Sequence, residues 1–417
     1  MNDIKNQLLA RIDADRNAIV EFLRGFLHCK SPNPPGDTLA AAQFVAAFLD
    51  RSGLSYKKVA AKEDRPNIIA TTRFPKPGRH LVLNGHIDVF PVGVESEWKH
   101  DPWGGELQDG RIYGRGACDM KCGTTASIFT YAYLSGLQDQ LHGRLTLTAV
   151  SDEETFGPWG TRYLMDHHAD EVLGDCCLNG EPSSPHSTRF GEKGPLWLKF
   201  RVATRGGHGA YVHTSKNAIA IALTVMSELQ SMAGQRADED PAVAAALDAA
   251  HDALEKAYGK GAAKTVREVT VNFGSIRGGA KVNMIAADCE FEVDVRTPVG
   301  MLQAPILGKI DAIVAKHPEV SYSVQGGNES NWCDPASEMF TYVVANAQRV
   351  SNVRPVRVVS PGGTDARLWR SRGVPAIVYG PSPDSMGAPD EHVTVEELMH
   401  VVKTHALSAF DYLASSR

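Results

Sequence analysis

The chain has 417 residues and a formal net charge of −6, with 43 basic against 49 acidic side chains, which excludes the basic surface that nucleic-acid binding needs. Its 43% hydrophobic content is that of a globular protein, and no apolar run is long enough to span a membrane. The seven cysteines are scattered and odd in number, and the polar N-terminus does not resemble a signal peptide, so we expect reduced thiols and a cytoplasmic location.

The first part of the chain predicts alternating helices and strands. Apolar residues recur with helical spacing at 3–27 and 38–52, and a further helix is predicted at 123–137. Residues 98–116, rich in glycine, aspartate and aromatic residues, are predicted to form a long surface loop. Strands are predicted at 67–71, 80–83, 145–150 and 176–179. This alternation is typical of a mostly parallel, mixed sheet with helices on both faces.

The order of elements changes near Gly194. The following segments read as strand, helix, strand, strand, helix and strand, at 196–204, 215–231, 269–273, 286–295, 306–316 and 320–324. That is the β-α-β-β-α-β order of a split sandwich, with an extra alanine-rich helix at 241–256. After Gly327 the α/β alternation returns. We therefore predict an α/β catalytic domain, residues 1–192 and 328–417, interrupted by an α+β lid or dimerisation domain, residues 193–327.

Candidate metal ligands follow the predicted strands. His86 and Asp88 lie two positions apart beyond one strand, so they face the same side of an extended chain, and the Asp88 carboxylate can orient the imidazole. Glu153 and Glu154 follow a second strand, and Glu181 follows a third. Asp119 lies at a glycine-flanked helix start. Binding crevices of open parallel sheets lie beyond the carboxyl ends of the strands. One histidine and several carboxylates converging there predict a divalent-metal site.

Each motif also has a plain structural interpretation. Asp119 could be a helix N-cap, and Gly362-Gly363-Thr364-Asp365 could be a turn followed by an N-cap. The Gly-Gly-His208-Gly segment could be a flexible hairpin. Cys118 and Cys122 have no second pair of ligands, so we interpret them as small buried residues.

Taken together, the motifs resemble those of the aminoacylase, acetylornithine deacetylase, succinyl-diaminopimelate desuccinylase and carboxypeptidase G family of di-zinc metallopeptidases. The resemblance covers nearly the whole chain, including the interrupting domain. The segments that carry it are His86-x-Asp88, Gly114-Arg115-Gly116-x-x-Asp119-Met120-Lys121, Asp152-Glu153-Glu154, Gly180-Glu181-Pro182-Ser183, the His208 loop and Gly362-Gly363-Thr364-Asp365.

The resemblance implies a role for each residue. It implies a divalent-metal site with His86, Asp119, Glu154 and Glu181 as ligands, Asp119 bridging two ions. It implies that Glu153 is the general base, that Asp88 orients His86, and that His208 reaches the reacting carbonyl, in relatives often from the other subunit of a homodimer. The substrate carboxylate would be held by Asn283 and Arg296, with Gly363 and Thr364 lining the pocket. It also implies a cis peptide bond between Asp119 and Met120.

The chain departs from the family pattern at its last metal ligand. The family has a histidine four residues before the glutamate of a Pro-Asp-Glu segment, where this chain has Gly387; the nearby His392 follows Glu391 instead. Cys122 is a smaller departure, since relatives usually have glycine there. Without an imidazole at 387 the second site would hold only carboxylates and water, so one functional metal (zinc, manganese or cobalt) is favoured over two.

These features predict a metal-dependent hydrolase that cleaves a C–N amide bond of a small carboxylate-bearing substrate, such as an N-acyl amino acid or a dipeptide-like amide. The missing ligand keeps open an aminohydrolase of a non-amide C–N bond, such as the aryl amine of 5-nitroanthranilate. A third alternative is a non-catalytic ligand-binding protein on the same fold. Glu153 argues against this third alternative, because a binding protein has no need of a poised, non-ligating carboxylate.

Overall fold

The structure, a computed structural model, describes residues 2–415 and divides into two compact units. Unit 1 comprises Met1–Phe190, Cys333–Val358 and Thr364–Arg417. Unit 2 comprises Gly191–Trp332 and Val359–Gly363.

A mixed sheet forms the centre of unit 1. In spatial order its strands are Lys57–Val59, Asn67–Arg73, His142–Val150, Lys76–His86, Cys176–Asn179, Ala376–Val378 and Ser187–Glu192, the last of which also pairs with Val356–Ser360. The four strands from His142–Val150 to Ala376–Val378 run parallel to one another, and the flanking pairs are antiparallel. The predicted α/β fold is confirmed, and the carboxyl ends of the parallel strands meet at one edge of the sheet.

Helices pack around this sheet. Those of unit 1 are Asn2–Ala14, Arg16–Leu27, Leu39–Arg51, Cys122–Ser135, Thr161–His167, Ala169–Val172, Glu338–Ser351, Ala366–Arg370 and Val395–Ala414. The single helix predicted at 3–27 is two helices separated at Asp15, whose carboxylate accepts a hydrogen bond from the hydroxyl of Tyr133 at 2.9 Å. Aspartate is a weak helix former, because its side chain can make such alternative hydrogen bonds.

The loop predicted at 98–116 contains two short strands, Glu106–Gln108 and Arg111–Tyr113, and the second pairs with His392–Thr394. The turn between them is Asp109-Gly110, with φ of 50° and 75°. An Asp-Gly turn is a strong hairpin signal. A strand of three residues is too short to show a repeating pattern of apolar residues, so the sequence did not predict these two strands.

Unit 2 has the predicted β-α-β-β-α-β order. Its antiparallel sheet runs Thr270–Gly278, Asp288–Thr297, Gly194–Ala203 and Val320–Gly327, and the helices Ala218–Gln230 and Gln303–Val314 pack on it. Phe200 and Phe291 stack in its core, with ring centroids 4.8 Å apart. The alanine-rich segment forms the helices Pro241–Ala249 and His251–Tyr258, which are followed by the short helix Ala262–Thr265. Two short strand pairings complete the unit. Gly207–His208 pairs with Met284–Ile285, and Asn331–Trp332 pairs with Gly191 and Glu192.

Candidate active site

Three potential metal ligands converge beyond the parallel strands of unit 1. His86 is the last residue of one strand, Glu181 lies two residues after the neighbouring strand, and Asp119 lies in the kinked turn Ala117–Lys121. His86 Nε2 lies 3.2 Å from Asp119 Oδ1 and 3.3 Å from Glu181 Oε1. A tetrahedral ion with bonds of about 2.0–2.1 Å holds its ligand atoms about 3.3 Å apart, so this trio has the spacing of a metal site.

The turn that presents Asp119 is held by the C-terminal Pro-Asp-Glu segment. The buried carboxylate of Glu391 accepts the N–H of Cys118 at 2.9 Å and of Asp119 at 3.0 Å, and it pairs with Arg115 at 2.5 Å. The peptide bond between Asp119 and Met120 is cis, as predicted. Glu391, which served only as a landmark in the sequence, therefore anchors the loop that presents the candidate ligand Asp119.

Gly387, where the family has a histidine, contributes no side chain. Its φ is 72°, and its carbonyl accepts a hydrogen bond from Arg115 Nη2 at 3.0 Å. His392 directs Nδ1 to the Asp390 carbonyl at 2.9 Å, and its ring lies against Tyr113, with centroids 5.1 Å apart. Among residues 2–415, the converging group of possible ligands does not include His392.

Asp88 contacts His86 mainly through the main chain. His86 Nδ1 lies 2.9 Å from the Asp88 carbonyl oxygen and 3.6 Å from its carboxylate oxygen Oδ1. The carboxylate accepts instead from Asn33 Nδ2 at 2.8 Å and from the N–H groups of Glu154 and Glu153 at 3.1 and 3.3 Å. The Asp88 side chain thus shapes the Glu153–Glu154 turn, whereas the sequence predicts that it orients the imidazole.

The proline-rich loop near the N-terminus also supports this turn. Asn33 Nδ2 donates to Asp152 Oδ1 at 3.1 Å, and Arg65 Nη1 pairs with the same oxygen at 2.6 Å. Asp152 is buried and has a φ of 65°. An Asn between two prolines is a conformationally restricted position, which suits a fixed contact.

Glu153 and Glu154 have different surroundings. Glu153 Oε1 accepts a hydrogen bond from Arg367 Nη1 at 3.1 Å; burial and Glu181 raise the pKa of Glu153, and Arg367 opposes that shift. Within the described residues, Glu154 Oε1 is buried without a hydrogen-bond partner, and burial together with Asp119 raises the pKa of Glu154. An unpartnered buried carboxylate oxygen beside other carboxylates is costly unless a cation is present, so the donor set fits a bound metal.

The three candidate ligands shift one another's pKa values. Burial lowers the pKa of His86, but Glu181 and Asp119 outweigh it and raise this pKa well above its usual value. Burial and the negative charge of Asp119 raise the pKa of Glu181 to about 7, whereas contact with His86 lowers the pKa of Asp119 despite its burial. A divalent cation that binds His86 and Glu181 would therefore compete with protons for the same side-chain atoms.

Four predicted site residues belong to unit 2. His208 is exposed and pairs with Met284, and the adjacent Gly209 N–H donates to the Asn283 carbonyl at 2.8 Å, so the two predicted substrate-contacting loops are neighbours. Arg296 Nε donates to Asp294 at 2.9 Å.

Arg296 Nη1 also donates to the Pro361 carbonyl at 2.7 Å, two residues before Gly363. Thr364 belongs to unit 1, where it is buried and its hydroxyl oxygen accepts the N–H of Ala366 at 3.2 Å. In unit 1 the candidate ligands Asp119 and Glu181 lie together around His86. In unit 2, His208 lies beside the Asn283 segment, whereas Arg296 contacts Pro361 near Gly363.

Comparison with known proteins decides the family. The profile of peptidase family M20/M25/M40 matches residues 82–410. The chain belongs to this family. Members are metal-dependent hydrolases that act on amide bonds, so the alternative of a non-catalytic binding protein is set aside.

Individual M20 relatives match nearly the whole chain. Succinyl-diaminopimelate desuccinylase of Cereibacter sphaeroides is 28% identical over 387 residues, covering 90% of this chain and 92% of the relative. The metallo-carboxypeptidase Sso-CP2 of Sulfolobus solfataricus superposes with a TM-score of 0.80 at 17% identity, covering 95% and 99% of the two chains. The dipeptidase Dug1p of Saccharomyces cerevisiae gives 0.79 at 16% identity and full coverage of both. These structural likenesses establish the M20 fold.

Two further expectations concern cysteines and membranes. All seven cysteines are free thiols, and most are buried. Among the described residues, no helix combines the length and apolarity needed to cross a bilayer.

Proposed function

We propose that the protein hydrolyses the amide bond of a small carboxylate-bearing substrate, an N-acyl amino acid or a dipeptide-like amide. One observation carries the proposal: His86, Asp119 and Glu181 converge on one point, while the adjacent Glu153 is buried, paired with Arg367 and outside that group. Hydrolysis needs this division between ligands and a carboxylate that stays free to move a proton. A desuccinylase, a carboxypeptidase and a dipeptidase among the relatives support this substrate class.

His86, Asp119 and Glu181 would hold one divalent metal, and zinc, manganese and cobalt all suit one imidazole and two carboxylates. When bound, the metal would lower the pKa of a water and polarise the substrate carbonyl. Gly387 offers no side-chain ligand for a second ion, and Glu154 with the shared Asp119 would retain one weakly. We therefore favour one functional metal.

Glu153 would act as general base and then general acid. Its carboxylate would take a proton from the attacking water and deliver it to the leaving nitrogen as the C–N bond breaks. Burial among other carboxylates keeps the pKa of Glu153 high, which favours proton uptake in the first step.

We assign Asn283, Arg296, Gly363 and Thr364 to the substrate carboxylate, and His208 to the reacting carbonyl. A guanidinium has five N–H donors, so Arg296 keeps donors for a substrate after pairing with Asp294 and Pro361. We further propose that residues 193–327 act as a lid and pair two chains in a homodimer. Val282 is fully exposed, and Met284, two positions along the chain, is exposed as well. Val212, four residues after the His208 that pairs with Met284, is also exposed, and exposed apolar side chains of this kind are typical of an interaction surface.

The aminohydrolase alternative depends on Gly387, since a site with one fewer imidazole could serve a different C–N bond. A substrate panel separates the two functions. Chelated protein would be supplied with zinc, manganese or cobalt and offered N-succinyl and N-acetyl amino acids, dipeptides and 5-nitroanthranilate. We expect turnover of an amide, abolished by Glu153→Gln with metal still bound. Release of ammonia from the aryl amine without any amide hydrolysis would establish the alternative.

A further inference from the structure

Arg367 forms a buried ion pair with Glu153. Its Nη1 lies 3.1 Å from Glu153 Oε1 and 3.8 Å from Asp365 Oδ1, and its side chain is only 6% exposed. The guanidinium also lies over the ring of Phe156, with Cζ 4.5 Å from the centroid. All these residues belong to unit 1. The contact joins positions 214 residues apart in the chain.

The position of Arg367 is set by its own short helix. The helix Ala366–Arg370 begins directly after Asp365, and the Arg367 N–H bonds to the Thr364 carbonyl at 3.2 Å. Asp365 is buried and accepts a hydrogen bond from Thr161. In the described part of the chain, Arg367 Nε has no hydrogen-bond partner. Of the two carboxylates near the guanidinium, Glu153 is the closer.

Stability alone does not account for this pair. Removing two charges from water costs several kcal/mol for each ion, and a buried pair replaced by well-packed apolar side chains is often no less stable. The neighbouring buried Arg370 instead donates to the main-chain carbonyls of Ala376 and Arg189. Arg367 differs in that its partner is the proposed general base.

We propose that Arg367 is a positioning residue that holds Glu153 Oε1, so that proton uptake and delivery take place at Oε2. This inference rests on the proposed role of Glu153. A guanidinium only donates hydrogen bonds and does not release its protons, so the oxygen that faces Arg367 is not the one that gains a proton. Fixing one carboxylate oxygen leaves a single basic atom in a defined orientation, which lowers the entropy cost of the reactive geometry.

The proton and electron balance closes within the hydrolysis itself. One water O–H bond breaks, its proton forms a bond to Oε2, and the water oxygen bonds to the carbonyl carbon. The C–N bond then breaks, and the proton passes from Oε2 to the leaving nitrogen. Arg367 keeps its hydrogen bond to Oε1 through both transfers and exchanges no proton.

The test compares Arg367→Ala with Arg370→Ala, a matched loss of a buried guanidinium on the same helix. For the amide identified by the substrate panel, we expect Arg367→Ala to lower kcat about 10- to 100-fold, with KM changed less than about threefold and metal content unchanged. Guanidinium ion added to the buffer should restore part of the kcat of Arg367→Ala and none in Arg370→Ala. Arg367→Lys, which keeps the charge, should fall between wild type and Arg367→Ala.

Combination with Glu153→Gln separates this inference from the proposed function. If Arg367 acts through Glu153, adding Arg367→Ala to Glu153→Gln should cause no further loss. Multiplicative losses, a rise in KM alone, or wild-type kcat in both Arg367→Ala and Arg367→Lys would overturn the positioning role while leaving Glu153 as the base. Full turnover by Glu153→Gln would instead refute the general-base assignment and the inference with it.

Discussion

His86 directs Nδ1 to the main-chain carbonyl of Asp88, 2.9 Å away, while the Asp88 carboxylate accepts the N–H groups of Glu153 and Glu154. One residue thus orients the imidazole of His86, a proposed metal ligand, with its backbone and the turn of the proposed base with its side chain. The two functions of Asp88 are separable, because a side-chain substitution leaves the carbonyl in place.

We predict that Asp88→Ala retains metal but lowers kcat. Without the carboxylate, the two N–H groups lose their acceptor and the Glu153–Glu154 turn shifts, which should cost about 10- to 100-fold in kcat. Metal affinity by competition with a chelator and kcat by amide hydrolysis would be measured together. Asn33→Ala, which removes one donor to the same carboxylate, should have a smaller effect in the same direction. Loss of metal with Asp88→Ala would show that the carboxylate, rather than the carbonyl, orients His86.

The second prediction concerns metal content. We expect about one equivalent of metal per chain after gel filtration, because among residues 2–415 only His86, Asp119 and Glu181 converge. His86→Ala should remove that ion, and His392→Ala should leave it in place. Elemental analysis checks both. Two tightly held equivalents, one lost with His392→Ala and both needed for turnover, would contradict the one-metal proposal.

A third prediction follows from the raised pKa values of His86 and Glu181. Only neutral imidazole and ionised carboxylate coordinate a metal, so binding must displace the protons. Since the pKa of Glu181 is about 7 without metal, about half a proton should be released from it at pH 7, in addition to that from His86. Affinity should therefore fall as the pH drops through 7, and proton release should diminish as the pH rises. Calorimetric titration in buffers of different ionisation enthalpy measures the release. An affinity that does not change with pH across the pKa of Glu181, which is about 7, would contradict the prediction.

Glu391 provides a fourth prediction. Glu391→Ala leaves Arg115 as an unpaired buried charge and frees the N–H groups of Cys118 and Asp119. Breaking a buried pair in this way costs about 3–5 kcal/mol of unfolding free energy, and a displaced Asp119 should also weaken metal binding. Urea unfolding and chelator competition test both effects. The exposed Glu396, paired with Arg16, is the control, and Glu396→Ala should change neither measurement appreciably. Equal effects of the two substitutions would contradict the anchoring role.

The fifth prediction is a homodimer. One chain has a mass of 45.1 kDa, so light scattering after gel filtration should give at least twice that value at micromolar concentration. Substituting the fully exposed Val282 with Asp should shift the mass toward the monomer, whereas the control Val94→Asp, in unit 1, should not. A fully active monomer would contradict both the dimer and a role for His208 that requires a partner.

The sequence alone determined the kind of fold and the points where chemistry could occur. Hydrophobic runs marked the parallel strands, and polar residues directly after them identified His86 and Glu181, because the carboxyl ends of parallel strands meet at one edge. The spacing of the motifs pointed to the family that the profile match establishes. These are local signals, carried by neighbouring residues and by the order of elements along the chain.

The tertiary structure alone decided which side chains support that chemistry. Arg367 meets Glu153 across 214 positions, and Glu391 meets Asp119 across 272. No periodicity links such pairs, because each contact depends on how separate helices, strands and loops pack. The same holds for Asp88, where the choice between main-chain and side-chain contact to His86 depends on the N–H groups that a neighbouring turn brings to its carboxylate. Spacing along the chain indicates which residues can meet, and packing determines which atoms do.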